Sequence, residues 1–283
     1  MEFTANQIKI AKRLSYGAKL FKSYFFSKSL FEEQFKDGYK ALVCFVENYA
    51  YERQGAASAY SEIAKKAIKK QFDGSVKSVT FTDAKEAWKH YQEIAKSEYN
   101  SLGVNPSLNP MNSDGGILAV MAKGNIINLA SYVKGLIQSN QTKQAYRLLT
   151  GIRGIGPKIA SLYLRDITYN GKLAESEIKD QRYLQPIDTW IDQALKIIFR
   201  NKKPKALKEK QEIIVKLCKA AKVSPISFNQ GAWVLGSKIA GDFKTFQQIA
   251  EGHNVKQIIS EHIKDEKSYI HELERLLQNW PEL

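Results

Sequence analysis

The stretch Leu148-Leu149-Thr150-Gly151-Ile152-Arg153-Gly154-Ile155-Gly156-Pro157-Lys158-Ile159-Ala160 decides how the chain is read. Apolar residues recur at helical spacing on both sides of it, so Gly-Ile-Gly reads as a tight turn joining two helices. Glycines at 154 and 156 allow positive φ and leave backbone N–H groups uncovered, and Pro157 suits the first position of the second helix. Amides at a helix start, with the positive end of its dipole behind them, suit a phosphate, so Gly154, Ile155 and Gly156 are candidates for contact with a DNA backbone. Ile155 is expected to tuck between the two helices and hold the turn shut. A Gly-rich turn between packed helices with no ligand is the plainer alternative.

Outward from the turn, the three- and four-residue apolar period continues over most of the chain and clean alternation is scarce, which predicts an all-α fold. Helices are expected over 4–26, 32–50, 61–70, 82–99, 117–121, 126–138, 143–149, 157–167, 189–199, 206–222, 231–240 and 256–277, with a short β-like patch at 75–81. Residues 101–116 hold two prolines, several asparagines and three glycines, and read as the one long loop of the N-terminal half. Lys and Arg number 43 against 29 Asp and Glu among 283 residues, a net charge of +14, which favours a polyanionic partner. No apolar stretch approaches the roughly 20 residues of a spanning helix, and the N-terminus lacks the apolar core of a signal peptide, so an intracellular protein with no membrane partner is expected. Two cysteines, Cys44 and Cys218, exclude a disulfide framework or a four-cysteine cluster, and the four histidines are not spaced as a ligand set, so neither metal nor cofactor is expected. Lys202, Lys203, Lys205, Lys208, Lys210, Lys216, Lys219 and Lys222 form a basic stretch, either a phosphate contact or a solvated helix face.

A second element follows at Leu184-Gln185-Pro186-Ile187-Asp188-Thr189-Trp190-Ile191. Asp188 stands where it would cap the helix carrying Ile191, Leu195 and Ile198, and a carboxylate there could also stabilise positive charge developing on a sugar or help to activate an attacking group.

Together the two elements resemble the base-excision DNA glycosylases of the helix-hairpin-helix family, which share a Gly/Pro-rich hairpin followed by a Pro-x-Asp element. The hairpin alone also occurs in polymerases, ligases and junction-binding proteins. By this resemblance Asp188 matches the catalytic aspartate, and Lys158 matches the lysine that marks the members with both glycosylase and lyase activity. That lysine attacks C1′ of the deoxyribose, forms a Schiff base and leads to β-elimination of the 3′-phosphate. The amine must be unprotonated to attack, which calls for burial or a nearby positive charge; a surface lysine contacting phosphate is the alternative. The interval between Lys158 and Asp188 is longer than in most members, with a polar insertion at 169–177, as is also seen in the archaeal type of 8-oxoguanine glycosylase.

A third stretch, Ser227-Phe228-Asn229-Gln230-Gly231-Ala232-Trp233-Val234-Leu235-Gly236, is similar to the last helix of the family's base pocket. There a glutamine bonds the flipped base and an apolar residue stacks on it, which assigns the first role to Gln230 and the second to Trp233 or Val234; Trp233 as core and Gln230 as a helix-start residue is the alternative. The wedge that fills the vacated stack falls in the family after the second helix, here among Tyr51, Arg53 and Gln54. The resemblance implies two helical subdomains with the hairpin at the cleft, one over 30–165 and the other over 1–29 with 166–283. It also implies a monomer acting on double-stranded DNA with a damaged base, an oxidised purine such as 8-oxoguanine first. A glycosylase for another base and a non-catalytic binder of damaged or structured DNA are the rivals. The expected location is the cytoplasm of a prokaryote, at the nucleoid, or the nucleus of a eukaryote.

Overall fold

The computed structural model describes residues 2–26, 30–51, 57–98, 105–200, 203–265 and 278. Every regular element among them is helical, so the chain is all-α, as the apolar period predicts. None of the described helices is long and apolar enough to cross a membrane. The contacts divide the chain into two compact units: a continuous central unit, Ser29–Asp180, and a terminal unit made of Met1–Lys28 with Gln181–Leu283.

The terminal unit opens with α1 (Ala5–Tyr16) and α2 (Ala18–Phe25). Thr4 starts α1 with a full capping box, its side chain accepting from the Gln7 amide and Gln7 answering on Thr4 N–H. The single helix expected over 4–26 breaks at Gly17, where a Cβ would lie 2.6 Å from the Leu235 side chain. The central unit contains α3 (Leu30–Glu33), α4 (Gly38–Phe45) running into a π-helical turn at Val46–Ala50, α5 (Ala57–Phe72) and α6 (Phe81–Glu98). It continues through a 3-10 turn at Pro106–Leu108 to α7 (Ile117–Lys123), α8 (Leu129–Gln138), α9 (Thr142–Thr150) and α10 (Pro157–Asn170). The β-like patch at 75–81 is not a strand: among the described residues there is no neighbouring strand to take its backbone hydrogen bonds, and Val76 and Val79 are buried in the connection into α6.

Helix α10 is the core of the central unit. Ile159, Ala160, Tyr163, Leu164 and Ile167 are buried along it, and the Tyr163 ring meets Phe45 and Tyr49 edge-on at 5.0 and 4.9 Å. It runs unbroken through position 165, so the division expected at 165/166 falls inside a helix; the chain changes unit at 180/181, after a 3-10 turn at Glu175–Glu177.

The terminal unit resumes with a 3-10 turn at Gln181–Leu184, then α11 (Thr189–Ile198), α12 (Leu207–Ala221) and α13 (Pro225–Val234), which continues as a π-helical turn, Leu235–Ala240. Helix α13 is buried on nearly every side and crosses α1 so closely that a Cβ on Gly231 would fall 1.8 Å from the Leu14 carbonyl oxygen. Helices α14 (Phe243–Glu251) and α15 (Val255–Asp265) follow, and the part of the expected 256–277 helix beyond 265 lies outside the described residues. Helix α14 was not among the expected elements, although Asp242 caps it through the Thr245 amide and Phe246, Ile249 and Ala250 form its buried face.

Candidate nucleic-acid and catalytic site

In the central unit, α9 ends at Gly151, and two turn bonds follow, Ile152 N–H to Leu149 O and Ile155 N–H to Ile152 O, each 3.0 Å. Ile152 and Ile155 are buried under the turn. Only one of the two turn glycines has the positive φ that the sequence suggests for both: Gly154 has φ +80°, whereas Gly156 is extended at φ −89°. Gly156 has a different property. A Cβ built there meets no atom within 4 Å, so nothing inside the protein requires glycine, and the space beside it is open. Helix α10 begins directly after it, with Pro157 in its first turn and no side chain capping it. First-turn amides left without a cap must be satisfied from outside the helix.

The turn is braced from behind. Arg153 N–H donates to the Gly115 carbonyl at 2.7 Å, and the Arg153 guanidinium pairs with Asp114 at 3.0 Å. The loop supplying these groups is itself fixed, with Ile117 N–H on Pro110 O at 2.7 Å and Asp114 N–H on Asn112 Oδ1 at 2.7 Å. The C-terminal half of the long loop is therefore a support for the 152–156 turn, a role its composition did not reveal.

Lys158, the second residue of α10, is exposed. Burial does not desolvate its amine, and any desolvation must come from what binds there. The far end of the same helix is fixed by a buried pair, Arg165 Nε to Asp166 Oδ1 at 2.8 Å, with the Tyr49 hydroxyl 3.3 Å from Asp166 Oδ2. Burial pushes the Asp166 carboxyl above its ordinary value in spite of the opposing Arg165 charge, and pushes the Tyr49 phenol well up.

Asp188 belongs to the terminal unit. Its backbone is extended, and its Oδ1 accepts from the Ile191 amide at 2.8 Å, so it is the N-cap of α11. The carboxylate is half-buried. Two buried amides that sequence reasoning passed over hold the chain just ahead of it: Gln211 Nε2 donates to Gln185 O at 3.0 Å and Asn229 Nδ2 to Pro186 O at 2.9 Å. Beyond Asp188, the Trp190 ring stands edge-on to Phe246 at 5.4 Å and lies against Gly236, where a Cβ would be 2.3 Å from the indole.

In the same unit Gln230 is 1% exposed, and its Nε2 has no hydrogen-bond partner among the described residues. A buried amide donor without a partner is costly, and a ligand that accepts from it recovers that cost. Trp233 is half-buried, edge-on to Phe21 at 5.6 Å and Phe25 at 6.1 Å, with Lys238 Nζ 5.8 Å from its ring. Of the two stacking candidates it alone keeps exposed surface, because Val234 is completely buried.

Tyr51 is not placed as a wedge. It is 7% exposed, stacked between Tyr60 and Tyr91, with its hydroxyl on Asn109 Oδ1 at 2.8 Å, and a side chain packed in this way cannot insert into a duplex. Arg53 and Gln54 lie outside the described residues. The basic stretch is partly neutralised: Lys203 pairs with Asp192 and Lys210 does so at 2.6 Å, while Lys202 lies outside the described residues.

The chain is 27% identical over 204 residues to an uncharacterized protein of Methanocaldococcus jannaschii. The match covers 62% of this chain and 45% of the relative, so the chain spans less than half the length of that protein. No family model and no solved structure matches the chain.

Proposed function

We propose that the chain is a helix-hairpin-helix DNA glycosylase with lyase activity that removes an oxidised purine, 8-oxoguanine first, from double-stranded DNA. The observation that carries this reading is Lys158, exposed in the first turn of a helix whose start is uncapped and open at Gly156. In it, α9, the turn and α10 form the hairpin of one subdomain and seat a DNA phosphate on the first-turn amides. The Lys158 amine attacks C1′; the bond from C1′ to the base breaks, and the base departs with the electron pair and takes up a proton. Opening of the sugar ring turns the adduct into an imine, loss of a C2′ proton expels the 3′-phosphate, and the strand is cut. The role of the Asp188 carboxylate in this reading is to stabilise the positive charge that grows on the sugar. Gln230 supplies the amide donor for the flipped base, and Trp233 the apolar surface beside it.

The cap that Asp188 makes on α11 favours one rival, a non-catalytic DNA binder in which Asp188 only starts a helix and Lys158 only touches phosphate. Borohydride reduction separates the two, because only a Schiff base becomes covalent. The test uses duplexes with one 8-oxoguanine, one abasic site or no lesion, with wild type, Lys158→Gln and Asp188→Asn. A covalent adduct on the 8-oxoguanine duplex that is lost in Lys158→Gln is the expected result. Trapping of the abasic duplex alone keeps the lyase and changes the base, and no trapping with any duplex leaves the binding protein.

A further inference from the structure

Residues 185–188 run between a 3-10 turn and α11 without a helix of their own, so the carbonyls ahead of Asp188 depend on donors from elsewhere in the fold. Those donors come from two different helices. Gln211 on α12 bonds the Gln185 carbonyl at 3.0 Å, and Asn229 on α13 bonds the Pro186 carbonyl at 2.9 Å. Gln185, Gln211 and Asn229 are all buried, where such bonds are little weakened by water. Two consecutive peptide planes are thereby held from two directions, and the proline ring between them fixes a third angle. At the other end of the segment, Oδ1 of Asp188 is tied to the Ile191 amide at 2.8 Å.

We infer that Gln211 and Asn229 are positioning residues that set where the Asp188 carboxylate stands. The inference rests on the glycosylase reading above and deepens it. A carboxylate that stabilises developing charge must be held within about 0.5 Å, and a displacement of about 1 Å costs on the order of a hundredfold in rate. The capping bond ties the carboxylate to the backbone of α11, and the two anchored carbonyls immediately before it hold the chain that carries it. Asn229 also directly precedes Gln230, so the helix that offers an amide to the base holds the turn that carries the carboxylate.

The test uses the full chain with Asn229→Leu and Gln211→Met, each of which removes a donor while keeping the length of the side chain. Single-turnover cleavage is followed on 8-oxoguanine and abasic-site duplexes, and affinity is measured on a duplex carrying a tetrahydrofuran abasic analogue, which cannot form a Schiff base. Expected is a rate about tenfold to a hundredfold lower with affinity within about twofold of wild type. In an Asp188→Asn background the same substitutions should change the residual trapping rate by less than about twofold, because a residue acting through Asp188 has nothing left to position. An unchanged rate, or rate and affinity falling together, overturns the inference. If Asn229→Leu does not fold, Gln211→Met decides alone. Wild type that cleaves neither duplex overturns the glycosylase reading instead, so the two failures are told apart.

Discussion

Asparagine caps a helix about as well as aspartate but carries no charge, so Asp188→Asn separates the observed cap from the catalytic task proposed for that side chain. Thermal unfolding should show Asp188→Asn within a few tenths of a kcal/mol of wild type and Asp188→Ala about 1 kcal/mol less stable. On the proposed function, base excision should fall by about a hundredfold or more in both. The two turn glycines divide in a similar way. Gly156→Ala meets no atom and needs no unusual φ, so it should leave the melting temperature unchanged while, on the proposed function, weakening duplex binding, because the added methyl would stand in the open space proposed for a phosphate. Gly154→Ala, at φ +80°, should cost about 1 kcal/mol or more of stability. At this scale the sequence showed residue types well and their surroundings poorly. The capping role of Asp188 was legible because a cap is set by its nearest neighbours. The burial of Tyr51 was not, because it depends on Tyr60, Tyr91 and Asn109 arriving from other elements.

Helix positions were legible wherever apolar period and cap agreed, as for α10 and α11, whose expected starts at 157 and 189 are the observed ones. They were missed where packing rather than propensity sets the boundary. Gly17 interrupts the first helix to let Leu235 in, and α14 was hidden behind Gly241 and a short apolar face. The asparagines and glycines of the long loop gave no hint that Gly115 and Asp114 hold Arg153, since a bond between residues that far apart leaves no local pattern. The crossing of α13 on α1 yields the sharpest test at this level. Gly231→Ala forces a Cβ into the Leu14 carbonyl, and backbone cannot step aside as a side chain does, so the terminal unit should lose about 1–3 kcal/mol, read by chemical denaturation.

For the molecule as a whole, the excess of 43 basic over 29 acidic residues predicts duplex binding that weakens steeply with salt, log K falling against log[salt] with a slope of roughly −0.9 per phosphate neutralised. Acid should also find one weak point in the terminal unit. Burial opposes ionisation of Asp192, but hydrogen bonds from Lys203 and Lys210 outweigh it and hold the carboxyl below its ordinary 3.8. A folded value lower than the unfolded one gives stability that is present above 3.8 and is lost as the pH falls through the folded value. Asp192→Asn should therefore melt below wild type at pH 7, with the gap closing in strongly acidic buffer. The division into a continuous central unit and a split terminal one carries a consequence for biosynthesis. The central unit emerges from the ribosome in one piece and can fold as it is made, whereas α1 must wait for α13, more than 200 residues behind it, before Leu14 has a surface to meet. The half carrying Lys158 can thus be ready before the half carrying Asp188 is closed. On the proposed function, a newborn chain would pass through an interval in which it binds nucleic acid but does not yet cut it.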